Sequence, residues 1–246
     1  MRAIGKIILS TANSDPDAAI LIDGVAMPVL VRRSARARAY RLTIDSARGA
    51  LRLSLPTRAN LKKALGWAQD HEGWVRAQMA KQPAITRLDH GAVFPLEGRE
   101  VTIHWVAGAT RTIRLEGDRL LLGGAAESVG ARVQRWLVNR AKAVLETESQ
   151  LLAREHGLIV ASVGVGDTRS RWGSCASSGA IRYSWRLILA PPEVRRATVA
   201  HELAHLLHMD HSPAFHAAHA RIYGADPRPA RAWLRAHGAG LHRYRA

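Results

Sequence analysis

The sequence is poor in cysteine, in acidic residues and in long apolar runs. Cys175 is the only cysteine among 246 residues, so an internal disulfide is excluded and a reducing compartment is favoured. No segment approaches the roughly 18 consecutive apolar residues of a membrane-spanning helix. The early run Ile7-Ile8-Leu9 is far too short for a signal peptide. These absences predict a soluble, cytoplasmic protein without a membrane partner.

Basic residues outnumber acidic ones, 36 against 20, which gives a formal net charge of +16. An excess of this size attracts polyanions without sequence specificity, although arginine also serves as a solubilising residue. No helix-turn-helix, zinc-finger or RNA-recognition signature is present, so only non-specific nucleic-acid binding is considered. Five arginines at the start of a predicted strand would either contact phosphates or form a solvated face: Arg32, Arg33, Arg36, Arg38 and Arg41.

Apolar residues form 47% of the chain, enough to offset the entropy of ordering it, and their spacing predicts an α+β fold. The first quarter is predicted to form strands, followed by one helix: 19–22, 26–31, 40–44, 51–55, then 59–79. A second β section leads into a long helix that Gly157 ends: 100–106, 110–115, 119–122, then 126–156. We therefore predict an N-terminal β-rich region with one helix over 1–85, and a second domain over 86–246.

The segment 168–191 is predicted to form a β-hairpin, because two β-prone arms flank the turn-rich Ser174–Gly179. Pro192 is well placed as the first residue of the next helix, and Glu193 is favourable against the helix dipole. That helix carries the stretch HELAHLLHMDH, residues 201–211, which holds four histidines and one glutamate.

This stretch contains the HExxH pattern, His201-Glu202-x-x-His205. Its spacing places two imidazoles one helical turn apart, where both reach one zinc ion. The glutamate between them is positioned to act on a metal-bound water as a general base. If the helix continues to His208, that residue shares the imidazole face, and the leucines at 203, 206 and 207 face the core.

A catalytic zinc site needs a third protein ligand and one open position for water. No glutamate follows Glu202, which excludes a downstream glutamate ligand. His208 would lie about 10 Å along the helix axis from His201, and Asp226 is a weaker candidate. His211 is the predicted third ligand, because Ser212-Pro213 predicts the start of a new helix that turns the chain back toward the metal.

Several short motifs occur here in one characteristic order: Arg171-Trp172-Gly173-Ser174-Cys175, Ser184-Trp185-Arg186-Leu187, Ala190-Pro191, HELAHL at 201–206, and His211-Ser212-x-x-Phe215. This order resembles the YgjP-type (SprT-like) metal-dependent hydrolases, a family of zincin metallopeptidases. A looser similarity extends upstream to RRSARARAYRLTID, residues 32–45. Ser184 and His216 depart from the family pattern, which usually has asparagine and an aromatic residue there, but neither is a proposed ligand.

The resemblance implies a zincin-like core made of the long helix, the β-hairpin and the HExxH helix. It implies a zinc ion on His201, His205 and His211, with Glu202 as the catalytic base. It also implies that an extended peptide or protein substrate pairs with the hairpin beside the active-site helix. Tyr183 is our candidate for stabilising the oxyanion, and the role of Cys175 stays open.

The sequence therefore predicts a zinc metallopeptidase that hydrolyses peptide bonds. Two other hypotheses stay open: a non-catalytic module with structural zinc and a nucleic-acid-binding surface, and a protease recruited to DNA-bound proteins. A fourth protein ligand, such as His208 or Asp226, would favour a structural site, because structural zinc is closed by four protein ligands. Glu202 favours the enzyme, because a structural site has no need of a carboxylate there.

Overall fold

A computed structural model describes residues 18–45, 49–80, 84–168 and 170–246. The contacts between Cα atoms divide the chain into two compact units, one ending at Pro83 and the other beginning at Ala84. Strands and helices occupy separate segments in both units, so the predicted α+β class is confirmed. Among the described residues, no helix is both long enough and apolar enough to cross a membrane.

The N-terminal unit is a four-stranded sheet with two helices. Its elements are β1 Ala19–Ile22, β2 Val25–Ser34, β3 Arg41–Asp45, β4 Ala50–Pro56, α1 Leu61–Asp70 and α2 Glu72–Ala80. The strand order is β1-β2-β4-β3, with β2 and β4 parallel and the other pairs antiparallel. The hairpin turn between β1 and β2 is at Asp23-Gly24, as predicted, and both residues have positive φ. The buried side chains of β4, at 51, 53 and 55, form the centre of this unit's core.

The single helix predicted over 59–79 is wrong, because the chain leaves the helical conformation at His71. The imidazole Nδ1 of His71 lies 2.7 Å from the carbonyl oxygen of Trp67. The next residue, Glu72, uses its carboxylate to accept a hydrogen bond from the backbone N–H of Asp23 in the β1–β2 turn. Apolar periodicity does not report this break, because the helices on both sides of it pack against the same sheet.

The C-terminal unit begins with a second four-stranded sheet and a long helix. Its first elements are β5 Thr86–Arg87, β6 Val93–Leu96, β7 Arg99–Trp105, β8 Arg114–Glu116, β9 Arg119–Leu122 and α3 Val129–Glu155. The sheet order is β6-β7-β9-β8. A 3-10 turn at Ala126–Ser128 precedes α3, so the long helix agrees with the prediction apart from its first turn. The face of α3 that includes Val133, Leu137 and Leu145 is completely buried.

The strand predicted over 110–115 is mostly a loop, and only its end belongs to β8. The carbonyl oxygen of Thr110 accepts a hydrogen bond from the N–H of Gly123, and its hydroxyl accepts one from the N–H of Thr112. A hydroxyl that caps the following backbone in this way competes with strand pairing, which alternation of apolar residues does not reveal.

A three-stranded sheet follows, made of β10 Ser162–Gly166, β11 Gly173–Cys175 and β12 Ala180–Ser184 in the order β10-β12-β11. The predicted hairpin is confirmed as the antiparallel pair β11–β12. Its second arm is shorter than expected, because Trp185–Leu189 forms a 3-10 turn. The parallel partner β10 was not predicted, since its sequence SVGVG offers only two apolar side chains.

The remaining elements are α4 Pro192–Ala204, α5 Pro213–Tyr223, α6 Arg228–Leu241 and β13 Tyr244–Arg245. Pro192 is the first residue of α4, with Glu193 in its first turn, as predicted. Helix α4 packs against α3, α5, α6 and β11. Helix α4 is therefore in contact with the elements that carry Gly173, Phe215 and Arg231.

Candidate metal centre

The HExxH stretch lies at the C-terminal end of α4. His201 and Glu202 are within the helix, and His205 is its C-cap. The helix ends at Ala204, because the N–H groups of Leu206 and Leu207 bond to the carbonyls three residues earlier, those of Leu203 and Ala204, and the chain then turns. The expectation that His208 shares a helical face with the other two imidazoles is therefore corrected.

The turn after α4 brings His211 back toward the helix. Asp210 accepts a hydrogen bond from the N–H of Ser212, and the Ser212 hydroxyl accepts one from the N–H of Phe215 as the N-cap of α5. The predicted cap is thus present. His211 Nε2 lies 3.3 Å from His201 Nε2, and one ligand atom from each of His201, His205 and His211 lies within 4.8 Å of the others.

The distance between the His201 and His211 nitrogens is compatible with a shared metal ion such as zinc. Zn–N bonds of about 2.0–2.1 Å with tetrahedral angles place two ligand nitrogens about 3.3 Å apart, the separation observed between His201 and His211. Nδ1 of His205 lies 3.1 Å from the carbonyl oxygen of His208. When that nitrogen carries the proton and donates it to the carbonyl, the lone pair of Nε2 is left for a metal.

Burial keeps the key imidazole neutral. Burial, assisted by the neighbouring histidines, lowers the pKa of His201 to about 3, and burial also lowers the pKa of His205. Metal binding requires neutral imidazole, so burial favours the ligand-competent state of both side chains.

A phenylalanine supports the three imidazoles. The ring of Phe215 in α5 is completely buried, and its centroid lies 4.9, 4.5 and 4.7 Å from the centroids of His201, His205 and His211. His219, one turn further along α5, is held by a contact of 3.0 Å between its Nε2 and the carbonyl of Ala197. Its ring packs edge-on against His201 at 5.1 Å.

Glu202 is next to His201 in α4, and it is only 4% exposed. Burial raises the pKa of Glu202 to about 7, against an opposing effect of the Arg171 charge. Gly173 in β11 lies directly against it, because a Cβ at that position would be 2.4 Å from Glu202 Oε1. A carboxyl with a pKa near neutrality is suited to accept and return a proton.

Two candidates for a fourth ligand lie elsewhere. Asp226 forms an ion pair of 2.8 Å with Arg228 before α6. The carbonyl of His208 contacts His205, but its imidazole is outside the metal-ligand group found in the described residues. Among the described residues, the candidate metal-ligand group therefore consists of three histidines without a fourth protein ligand.

Tyr183 and Cys175 lie on the neighbouring hairpin. Tyr183 is fully buried, and its hydroxyl shares a hydrogen bond of 3.1 Å with Ser149 of α3. The oxyanion role stays a prediction, and this packing gives it no support. The Cys175 thiol is half-buried and contacts the carbonyl of Ala176. Burial raises its pKa, which favours a protonated packing residue over a reactive thiolate.

A cavity of about 230 Å³ adjoins His201 and Glu202. One wall is Trp172, whose ring lies against α6 so closely that a Cβ at Gly238 would be 2.7 Å from it. Another wall is the N-terminal half of α6, including Arg231 and Leu234. Sequence patterns did not reveal this contribution, because α6 lies outside the HExxH stretch and only packing brings it to the site.

The chain was compared with curated proteins, solved structures and protein-family models. No curated protein and no solved structure matches it significantly. The family model described as the YgjP-like metallopeptidase domain matches residues 38–237. That match covers most of the chain, including α3, α4, α5 and most of α6. The chain therefore belongs to the YgjP-like family of metallopeptidase domains.

Proposed function

We propose that the protein is a zinc peptidase with His201, His205 and His211 as metal ligands and Glu202 as general base. The observation that carries the proposal is the convergence of three imidazole nitrogens within 4.8 Å beside one buried carboxyl group. A bound zinc ion would polarise the scissile carbonyl and lower the pKa of a water molecule. The long helix α3, the β11–β12 hairpin and the HExxH helix α4 all belong to this unit, and their presence supports a zincin-like core.

Glu202 supplies the proton transfers. It accepts one proton from the attacking water, whose oxygen forms a bond to the carbonyl carbon. As the carbon–nitrogen bond breaks, Glu202 delivers that proton to the leaving amine, so that an acid and an amine are formed. The raised pKa of Glu202 suits both halves of this cycle, since the group neither holds its proton too tightly nor releases it too readily.

The edge of β11 is the proposed binding site for the substrate backbone. In its sheet, β11 pairs with β12 on one side and is the edge strand on the other. Gly173, in this strand, contacts Glu202. An extended peptide that adds to this edge through backbone hydrogen bonds would pass beside the general base.

Nucleic acid is a second proposed partner. Arg32 and Arg41 are both register partners of Ser54, so they project from the same sheet face, and Arg52 lies two residues away on that face. All three arginines are exposed, although Arg52 is paired with Asp45. This face suits sequence-independent contact with phosphates and would recruit the peptidase to protein bound to nucleic acid.

The test compares the wild type with Glu202→Gln, which keeps the shape of the side chain but removes its basicity. Both proteins, loaded with zinc, are incubated with unfolded casein in the presence and absence of single-stranded DNA. We expect equal metal content, cleavage by the wild type, and a loss of activity of about 10²–10⁴-fold in the variant. If both proteins hold zinc and neither cleaves casein or shorter peptides, the non-catalytic hypothesis gains and the peptidase is rejected.

A further inference from the structure

The cavity beside the candidate metal centre has the size and lining of a side-chain pocket. Its volume of about 230 Å³ is below the roughly 300–1,000 Å³ of pockets for drug-sized molecules, so it suits one amino-acid side chain. Most of its walls are apolar, and they come from three separate elements: Trp172 before β11, Val194 and Ala197 in α4, and Ala230 and Leu234 in α6.

Two guanidinium groups border the same cavity. Arg171 and Arg231 both line it, and both residues are exposed. Arg171 is close enough to oppose the rise in the pKa of Glu202, and Arg231 is close enough to lower the pKa values of His201 and His219. One positive charge therefore lies toward the general base and the other toward the metal ligands.

These two arginines differ from the structural arginines of the same unit. Arg195 makes a bidentate contact with Glu148 between α4 and α3, and Arg140 pairs with Glu97. Within the described part of the chain, neither the Arg171 nor the Arg231 side chain has a hydrogen bond or an ion pair. An unpaired guanidinium beside a binding cavity is a ready donor for a carboxylate.

We propose that this cavity receives an apolar side chain next to the cleaved bond, while Arg171 and Arg231 bind a carboxylate of the substrate. The inference rests on the proposed peptidase function and adds a substrate class to it. A free C-terminal residue supplies both groups on one carbon atom, and an aspartate or glutamate beside an apolar residue supplies the same chemistry within a chain. The first source would make the enzyme act at chain ends, and the second would make it cut near acidic residues.

Three N-acetylated peptides separate these sources. The first ends in a free leucine, the second is its C-terminal amide, and the third is an amide with glutamate beside the leucine. We expect kcat/KM to be about tenfold or more higher for the free acid than for the amide, since one charge-assisted hydrogen bond has that value. If the glutamate peptide is cleaved as fast as the free acid, the two arginines also bind the carboxylate of a side chain. Equal rates for all three peptides would overturn the proposal.

The arginines are tested by Arg231→Gln, with Arg235→Gln as the matched control. Arg235 is an exposed arginine one turn further along α6 and does not line the cavity. We expect the preference for the acid over the amide to fall to near unity in Arg231→Gln and to persist in the control. Loss of preference in both variants, or in neither, would count against a specific site.

A binding measurement distinguishes this inference from the proposed function. N-acetyl-leucine and its amide are titrated into the metal-free protein by calorimetry, where no hydrolysis occurs. If the acid binds more tightly through Arg231 but no peptide is cleaved by the zinc-loaded protein, the carboxylate site stands and the peptidase proposal fails. If peptides are cleaved but acid and amide behave alike in both assays, the peptidase stands and the carboxylate site is rejected.

Discussion

The two halves of the candidate metal centre are built in different ways. His201 and Glu202 lie within α4, a helix packed against α3, α5, α6 and β11, and Glu202 is almost completely buried. His211 instead lies in the loop between α4 and α5 and is exposed. Its position depends on two local hydrogen bonds, from Ser212 N–H to Asp210 and from Phe215 N–H to Ser212.

We call His201 and Glu202 the helical half of the site and His211 the loop half. The fold alone is expected to position the helical half, whereas the loop half is expected to depend also on a bound metal ion. Packing holds the helical half in place whether or not an ion is bound, because moving His201 would disrupt its contacts with Phe215 and His219. His211 also contacts the Phe215 ring, at 4.7 Å, but its side chain is exposed, so bound metal and helix capping contribute more to holding it. Changes in the helical half should therefore alter stability and chemistry, and changes in the loop half should alter metal affinity.

The largest effects are expected from deleting one ligand in each half. Both His201→Ala and His211→Ala should lose zinc and activity, because two histidines alone do not make a stable zinc site. In the metal-free protein the two variants should differ. His201→Ala leaves a gap beside buried rings and should lower the free energy of unfolding by about 1–2 kcal/mol.

His211→Ala serves as the comparison, because exposed substitutions usually change that free energy by less than about 0.5 kcal/mol. Urea unfolding of both metal-free variants beside the wild type measures the difference. Equal losses of stability would show that packing does not distinguish the two halves.

The second prediction concerns the contact between β11 and Glu202, the proposed general base. In Gly173→Ala the new Cβ would collide with Glu202 Oε1 at 2.4 Å and with Cγ at 2.7 Å, so the carboxyl group must move. We expect the rate to fall by about 10²–10⁴-fold, as for loss of the base itself, while the histidines retain the metal.

Gly164→Ala is the matched control, since it lies in β10 of the same sheet and its Cβ would meet nothing closer than 3.8 Å. Steady-state rates and metal content are measured on both variants. Full activity in Gly173→Ala would mean that Glu202 works from another position, and an equal loss in Gly164→Ala would assign the effect to the sheet.

Local patterns predicted the start of α4 and the cap of α5 because the relevant information is local. HExxH spacing, the proline at the start of α4 and the Ser212 cap each depend on residues within a few positions of one another. The helix end at Ala204 was missed, since apolar periodicity continues through Leu206 and Leu207 although the chain has already turned. The spacing of apolar residues does not show which carbonyl oxygen accepts each backbone N–H, and these hydrogen bonds determine where a helix ends.

Other features depend on packing between distant segments and leave no pattern in the sequence. Phe215 belongs to the motif His211-Ser212-x-x-Phe215, but its ring contacts with all three histidines depend on the packing of α5 against α4. The cavity wall formed by Arg231 follows from the close contact of Gly238 with Trp172, across some 66 residues of chain. In the N-terminal unit, each of the four described strands was predicted, because apolar and polar residues alternate clearly along them.

The smallest expected effects test the loop half alone. Ser212→Ala removes the cap of α5, and Asn60→Ala removes the equivalent cap of α1, where the Asn60 side chain accepts from Lys63 N–H. Each change should lower the free energy of unfolding by about 0.5–2 kcal/mol. Only Ser212→Ala should also weaken zinc binding, by a few-fold, because its cap orders the turn that carries His211. Competition with a chromophoric chelator measures that affinity. If the two variants bind zinc equally well, the metal itself orders the loop and the cap contributes only to the stability of α5.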